Sequence, residues 1–313
     1  MQKKLVDIRW NREILWVYWV ITDYCNQACN YCPKSLHQGM VASGKEPGLQ
    51  TDEDIDKFID YIIKVAKEKN MLLVVSISGG EPTTHKKYPE IVERLKPFGF
   101  VDTVTNGARP LAWWKSLPQL PHNVMMTLHP EYYNAKQFRI NELSEFLIDS
   151  GVVVTYNLAC DPLHWDTVLE IANNIDDKFR HRIFPKPIFD FDLGGKPMRK
   201  YTDEQVQFMK SFTPNVEHHL DYPYSTKAFS DGTISRINAN KLAAQEMNRF
   251  RGWKCSAGVK GIDVRANGKV YAGICAAQLL GTIADFKLLD DYIICPKNHC
   301  PCPADINLDK YLI

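Results

Sequence analysis

Three things are scarce in this 313-residue chain, and each scarcity closes off a class of function. Long apolar runs are missing: the longest, Ile14 to Ile21 (ILWVYWVI), has eight residues, far short of the roughly 18 that a membrane-spanning helix needs. It follows DIRWNRE rather than a basic stretch, so it does not read as a secretory signal either. Charge of one sign is missing as well, with 38 Lys and Arg against 37 Asp and Glu and a net charge of +1, so no global field draws the chain to nucleic acid or to an anionic membrane. Low-complexity tracts and internal repeats are absent. The 45% hydrophobic and 24% charged composition instead supports a sizeable buried core, one large domain or one with a smaller appendage. The expected setting is the cytoplasm, without membrane or nucleic-acid partners.

From residue 14 to about 190, apolar runs of β type alternate with helical periods. The runs are Ile14 to Ile21, Met71 to Ser78, Phe100 to Thr105, Asn123 to Leu128, Val152 to Asn157 and Arg182 to Phe189. Between the first two, Ile55, Phe58, Ile59, Ile62, Ile63 and Ala66 recur at helical spacing behind a capping box at Thr51. Further helical periods run through Tyr88–Leu95, Ile140–Leu147 and Val168–Ile175, with a weaker one at Pro110–Trp114. Near-continuous apolar strands joined by helices imply a parallel sheet. Six such units fall short of the eight of a closed barrel, so the expected fold is α/β, a partial (β/α)6 TIM-like barrel whose functional loops leave the carboxyl ends of the strands. An open doubly wound sheet is the alternative. The expected division is 1–212 for this core and 213–313 for a small cysteine-rich extension. Thr202 to Phe212 ends the core as one more helix; in the extension Tyr222 to Ser235 reads as loop, a helix is expected through NANKLAAQEMNRF, and IDVRANGKVYAG carries a hairpin signal at Asn267-Gly268.

Nine cysteines in a reducing compartment favour metal binding or catalysis over disulfides. Cys25, Cys29 and Cys32 come directly after the first parallel strand, on the functional rim. A zinc knuckle would want a second pair of ligands nearby. Three thiolates on a [4Fe–4S] cubane would leave one iron without a protein ligand, open to a small molecule. The second strand ends in SGGEPT, where Gly79 and Gly80 permit close backbone approach and Glu81 can accept from a cationic amine. The third ends in TNG, Thr105 to Gly107.

Taken together, Cys25-x3-Cys29-x2-Cys32, Gly79-Gly80-Glu81-Pro82 and Thr105-Asn106-Gly107, in order after three successive strands, resemble the radical S-adenosylmethionine (radical SAM) superfamily over roughly residues 14 to 190. The resemblance implies that Cys25, Cys29 and Cys32 hold the cluster and that the amine and carboxylate of S-adenosylmethionine chelate its open iron. It further implies that Gly79, Gly80 and Glu81 receive the amine, that Tyr31 lies near the adenine, and that Asn106, Thr127 and Asn157 contact ribose or carboxylate. Thr127 stands where many members carry serine. The chemistry implied is one-electron cleavage of the sulfonium to a 5′-deoxyadenosyl radical that removes a hydrogen atom from substrate, with flavodoxin or ferredoxin as electron donor.

Cys255, Cys275, Cys295, Cys300 and Cys302 resemble the Twitch or SPASM-type auxiliary-cluster extensions of that superfamily, although a full SPASM set has about seven cysteines for two clusters. One auxiliary [4Fe–4S] cluster is expected, on Cys255, Cys275 and two or three of Cys295, Cys300 and Cys302, with zinc as the alternative. Cys160 is either a buried thiol or a hydrogen-atom donor in an epimerase. Candidate substrate contacts are His129, Tyr132 and Asp161, then Tyr133, Lys186, Asp190, Asp192, His218 and His219. Only 24 residues precede Cys25, which favours a small molecule, or a peptide delivered by another protein, over a peptide bound through a leader-binding domain of this chain. The expected reaction is dehydrogenation or epimerisation of a sugar, cyclitol or aminoglycoside. The alternatives are maturation of a ribosomal peptide or RNA nucleoside, and a non-catalytic zinc or electron-transfer protein.

Overall fold

A computed structural model describes residues 3–32, 50–134, 139–190, 196–300 and 302–313. After an initial strand β1 (Leu5–Trp10), strands β2 (Ile14–Thr22), β3 (Leu72–Gly79), β4 (Gly99–Thr105), β5 (Asn123–Leu128), β6 (Val153–Cys160) and β7 (Ile183–Pro187) lie side by side in chain order. Every neighbouring pair in that run is parallel. The crossovers carry α1 (Asp52–Glu68), α2 (Tyr88–Leu95), α3 (Leu111–Lys115), α4 (Ile140–Asp149) and α5 (Trp165–Asn174). The six strands do not close on themselves, and the architecture is the partial TIM-like barrel expected from the run pattern.

The helices begin and turn where residue chemistry requires. Thr51 accepts from the Asp54 amide at 3.1 Å while Asp54 reaches back to the Thr51 amide, the reciprocal cap that opens α1. Its Ile55, Phe58, Ile59 and Ile62 are fully buried against alternate residues of β2 and β3, among them Val17, Trp19, Val75 and Ile77. A second apolar layer joins α4 and α5 to β5 and β6. The other face of β2 to β7 is the barrel interior, and register places Tyr18, Ser76, Asp102 and Asn123 on it in one row.

Beyond β7 come the short pair β8 (Phe189–Asp190) and β9 (Lys196–Pro197), then helix α6 (Asp203–Lys210). The stretch 222–235, expected to be loop, forms β10 (Ser225–Phe229) and β11 (Ile234–Ser235), because β1 pairs with β10 in antiparallel register. A local reading could not see a partner more than 200 residues away. Helix α7 covers only Ala239–Ala244 of the expected longer helix. The remaining strands are β12 (Lys254–Cys255), β13 (Gly261–Val264), β14 (Lys269–Ala272), β15 (Leu279–Thr282), β16 (Asp285–Phe286), β17 (Ile293–Ile294) and β18 (Lys310–Tyr311), with α8 (Pro303–Asn307) before the last.

The Asn267-Gly268 hairpin forms as expected, with Gly268 at φ 77°. Its position is new: β13 pairs parallel with β2, so the hairpin, followed by β15 and β16, extends the barrel sheet to ten strands. A second sheet, in the order β11-β10-β1-β18-β12-β17, carries the cysteine-rich part. No helix among the described residues is long and apolar enough to cross a membrane.

Candidate active site

The chain leaving β2 runs straight into the first cysteines, and the end of β3 is folded tightly against it. The Gly80 amide donates to Thr22 O and the Glu81 amide to Tyr24 O, both at 2.8 Å. A Cβ on Gly79 would stand 2.4 Å from Thr22 O, and one on Gly80 2.2 Å from Tyr24 O. The two glycines are therefore required by the approach of two protein segments, before any ligand is considered.

Glu81 is 1% exposed and does not line the site. Its Oε1 accepts from the Thr83 amide (3.0 Å), Thr83 Oγ1 (2.6 Å) and Thr105 Oγ1 (2.7 Å), and its Oε2 from the Asn106 amide (2.6 Å). Burial pushes its carboxyl above the ordinary range despite these donors. The side chain thus ties the end of β3 to the end of β4. Asn106 continues the tie, its Nδ2 donating to Asn26 Oδ1 at 2.8 Å and lying 3.8 Å from Cys25 Sγ.

Cys25, Cys29 and Cys32 line one cavity of about 150 Å³ with Gly79, Gly80, Asn106, Thr127 and His129. Burial first, then neighbouring charges led by the Cys32 thiol, pushes Cys29 up to about 12; burial and the Cys25 thiol do the same for Cys32. Three soft donors converge on one cavity where metal binding would displace their protons. This donor set fits an iron–sulfur cluster.

Residues outside the motifs hold the cysteine loop. The Ala28 amide donates to Tyr132 Oη at 2.8 Å and the Asn30 amide to Glu131 Oε2 at 2.9 Å. Tyr31 Oη and His129 Nδ1 are 2.8 Å apart, with the rings stacked. On the far side Arg199 donates to Asn30 Oδ1 at 3.0 Å and pairs with Asp161 at 3.0 Å. Glu131 and Arg199 escaped the sequence reading: Glu131 was hidden inside LHPEYY, and Arg199 carries no local signal at all.

The other expected residues fall in several places. Asp161 is 0% exposed, its carboxylate taken by Arg199, His164 and the Leu163 amide, so it braces the loop. Cys160 is 0% exposed in the apolar layer under α5, with burial pushing its thiol up to about 12, and it is not placed to donate a hydrogen atom. His219 accompanies His122 at the amino end of β5, opposite the rim, and His218 stacks on Tyr222 nearby. Lys186 sits near the carboxyl end of β7, its ammonium 5.7 Å from the Phe184 ring. Asp192 lies outside the described residues, as does the side chain of Asp190. Asn157 pairs in register with Thr127 and shares its face of the sheet. His129, Tyr132 and Tyr133 line a larger cavity of about 550 Å³ that adjoins the first through Gln27, Asn106 and His129.

The surroundings of Cys300 include Cys255 and Cys275, and Cys295 also faces Cys255. Cys302 faces Asp305 and Asp263 and lies near Tyr18 of the barrel interior. Asp305 holds the Cys275 loop, accepting from the Ile274 and Cys275 amides at 3.0 and 2.6 Å. Among the described residues no three Cys, His, Asp or Glu are arranged around a single metal ion.

The family model described as Radical SAM superfamily matches residues 19–179. A curated GTP 3',8-cyclase of Mannheimia succiniciproducens is 28% identical over 195 residues, 59% of this chain and 54% of that protein; one of Haemophilus influenzae is 27% identical over 165 residues, 50% and 46%. The chain thus spans about half the length of the curated relatives it matches. The solved structure of native anSMEcpe with bound AdoMet superposes with a TM-score of 0.53 at 15% identity, over 88% of this chain and 79% of that one.

Proposed function

This chain belongs to the radical SAM superfamily, and from that premise we propose that it oxidises a small molecule by hydrogen abstraction at the rim of its partial barrel. Membership brings a [4Fe–4S] cluster and S-adenosylmethionine, which together supply a 5′-deoxyadenosyl radical. The observation that carries the reading is the convergence of Cys25, Cys29 and Cys32 on one cavity bounded by the glycine pair and Asn106. In this reading those thiols hold the cluster, Gly79 and Gly80 border the place of the methionyl amine, and buried Glu81 holds the ends of β3 and β4 together behind them. Thr127 and Asn157, neighbours on the interior face, are proposed contacts for ribose or carboxylate, and Tyr31 for adenine. Glu131, Tyr132, Arg199 and Asp161 keep the loop in place, so that the radical forms in one orientation and away from water.

The second set of thiols supports the oxidative direction. Cys255, Cys275, Cys295 and Cys300 are proposed to hold an auxiliary cluster in a unit formed by residues 213–313 together with β1, and that cluster can take the second electron of an alcohol dehydrogenation. The proposed substrate is a sugar, cyclitol or aminoglycoside, with a flavodoxin or ferredoxin as reductant and the cytoplasm as the setting. A second reading, cyclisation of a purine nucleoside triphosphate, draws on the GTP 3',8-cyclases matched above.

The test is anaerobic reconstitution followed by incubation with S-adenosylmethionine and dithionite. About eight irons per chain and formation of 5′-deoxyadenosine are expected. Cys25→Ala is expected to abolish that product, and wild-type-level cleavage by the variant would sink the assignment. A ketone or aldehyde formed from an aminocyclitol panel supports dehydrogenation, whereas turnover of GTP alone selects the second reading.

A further inference from the structure

A pair of buried ammoniums beside the carboxy-terminal thiols is only half matched by carboxylate charge. Lys310 in β18 is 1% exposed. Its register partner in the antiparallel pair is Cys255, so both side chains stand on one face of the sheet with Cβ atoms roughly 5 Å apart. The groups whose charge this ammonium would feel are Cys255, Cys300, the Asp305 carboxylate and Cys295. The ammonium lies 5.2 Å from the centre of the Phe250 ring and donates to two main-chain carbonyls, those of Asp305 and Leu308. Both acceptors are neutral, and the neighbouring Asp305 carboxylate is engaged by the Ile274 and Cys275 amides. A second ammonium, Lys227, is 2% exposed, hydrogen-bonded to Ser225 and Asn307, and close enough to Lys310 to repel it.

Two buried ammoniums beside the one Asp305 carboxylate leave a positive charge unmatched among neutral thiols, which is unfavourable. The arrangement becomes favourable once those thiols are thiolates shared with iron, because a thiolate-ligated cubane is anionic and gains one more negative charge on reduction. We infer that Lys310 is the counter-charge of a cluster held by Cys255, Cys275, Cys295 and Cys300, and that it raises the reduction potential of this cluster. The inference rests on the auxiliary-cluster reading above. It gives that cluster a reason to accept an electron readily, as the end point of a substrate oxidation must.

The experiment isolates the second site. In a Cys25→Ala, Cys29→Ala, Cys32→Ala background only the carboxy-terminal thiols can load, and about four irons per chain are expected. Redox titration followed by electron paramagnetic resonance then compares Lys310 with Lys310→Met and Lys310→Arg. The methionine variant is expected to disfavour reduction about tenfold, a fall of about 59 mV for a one-electron couple, and the arginine variant to stay near the parent. Lys310→Gln, which keeps a donor for the two carbonyls, replaces Lys310→Met should the latter not fold. A fully loaded neutral variant with an unmoved midpoint overturns the charge role. A parent background that takes up zinc or no metal instead overturns the auxiliary-cluster reading, and the charge role with it.

Discussion

Gly80 and Glu81 do different work from what their letters alone suggested, and their substitutions report on it separately. Gly80→Ala forces a Cβ to within 2.2 Å of the Tyr24 carbonyl, backbone against backbone, so the chain entering the cysteine loop must move. Iron retention after desalting is expected to fall well before the far-ultraviolet circular dichroism changes, and a variant holding a full iron complement would contradict this. Glu81→Gln keeps the shape but turns one acceptor into a donor where four donors converge. A cost of about 1–3 kcal/mol follows from the unmet hydrogen bonds, visible as a lower Tm in the apoprotein. The cysteines were legible because three thiols after a strand have few other uses. The bracing residues were not, since Glu131 and Arg199 act through contacts about 100 and 169 residues away from their partners in the loop.

The same division runs through the secondary structure. Strands β2 to β7 were legible because parallel strands buried on both faces read as apolar runs, and their helices because one buried stripe recurs at helical spacing. The capping box at Thr51 was equally local. Thr51→Ala is expected to cost about 1 kcal/mol and to lower Tm by roughly 2 °C in a chain of this size, with cluster chemistry unaffected. An unchanged Tm would show that packing of Phe58 and Ile62 alone holds α1. The six-stranded sheet was illegible for a physical reason: β11, β12, β17 and β18 have two residues each, too few for any period, and the two halves of the sheet meet only through β1, which pairs with β10 on one side and β18 on the other. The parallel seating of β13 on β2 was hidden likewise, since a hairpin signal does not say which edge the hairpin joins.

At the scale of the whole molecule, the segment after α6 crosses the amino end of the barrel and closes it with titratable groups, which gives the stability an unusual pH profile. Tyr222 Oη donates to Asp102 at 2.6 Å, and Phe100 packs on Tyr222 and His122 with ring centres 4.9 and 5.0 Å apart. Burial pushes the Asp102 carboxyl up to about 6, against donation from Tyr222 and Asn123 and the nearby His219. Burial, aided by Lys96 and His219, pulls His122 down to about 4, and its Nδ1 accepts from the Val101 amide at 3.2 Å only while neutral. The two groups act in opposite senses. Asp102 binds its proton more tightly folded than unfolded, so its destabilising effect is complete above about pH 6 and is relieved as pH falls toward the unfolded value of about 4. His122 binds its proton more weakly when folded, so its contribution is intact above about pH 6.5 and is lost as pH falls toward 4. Between those limits the shifts are similar in size and nearly cancel. Asp102→Asn removes the gain and should leave an apoprotein whose Tm falls on acidification from pH 6.5 to 4.5, relative to wild type. His122→Gln removes the loss and should show a relative rise over the same interval. Parallel profiles for the two variants and wild type, measured by thermal melts at matched ionic strength, would mean that neither group is desolvated and that the amino end of the barrel is open to water.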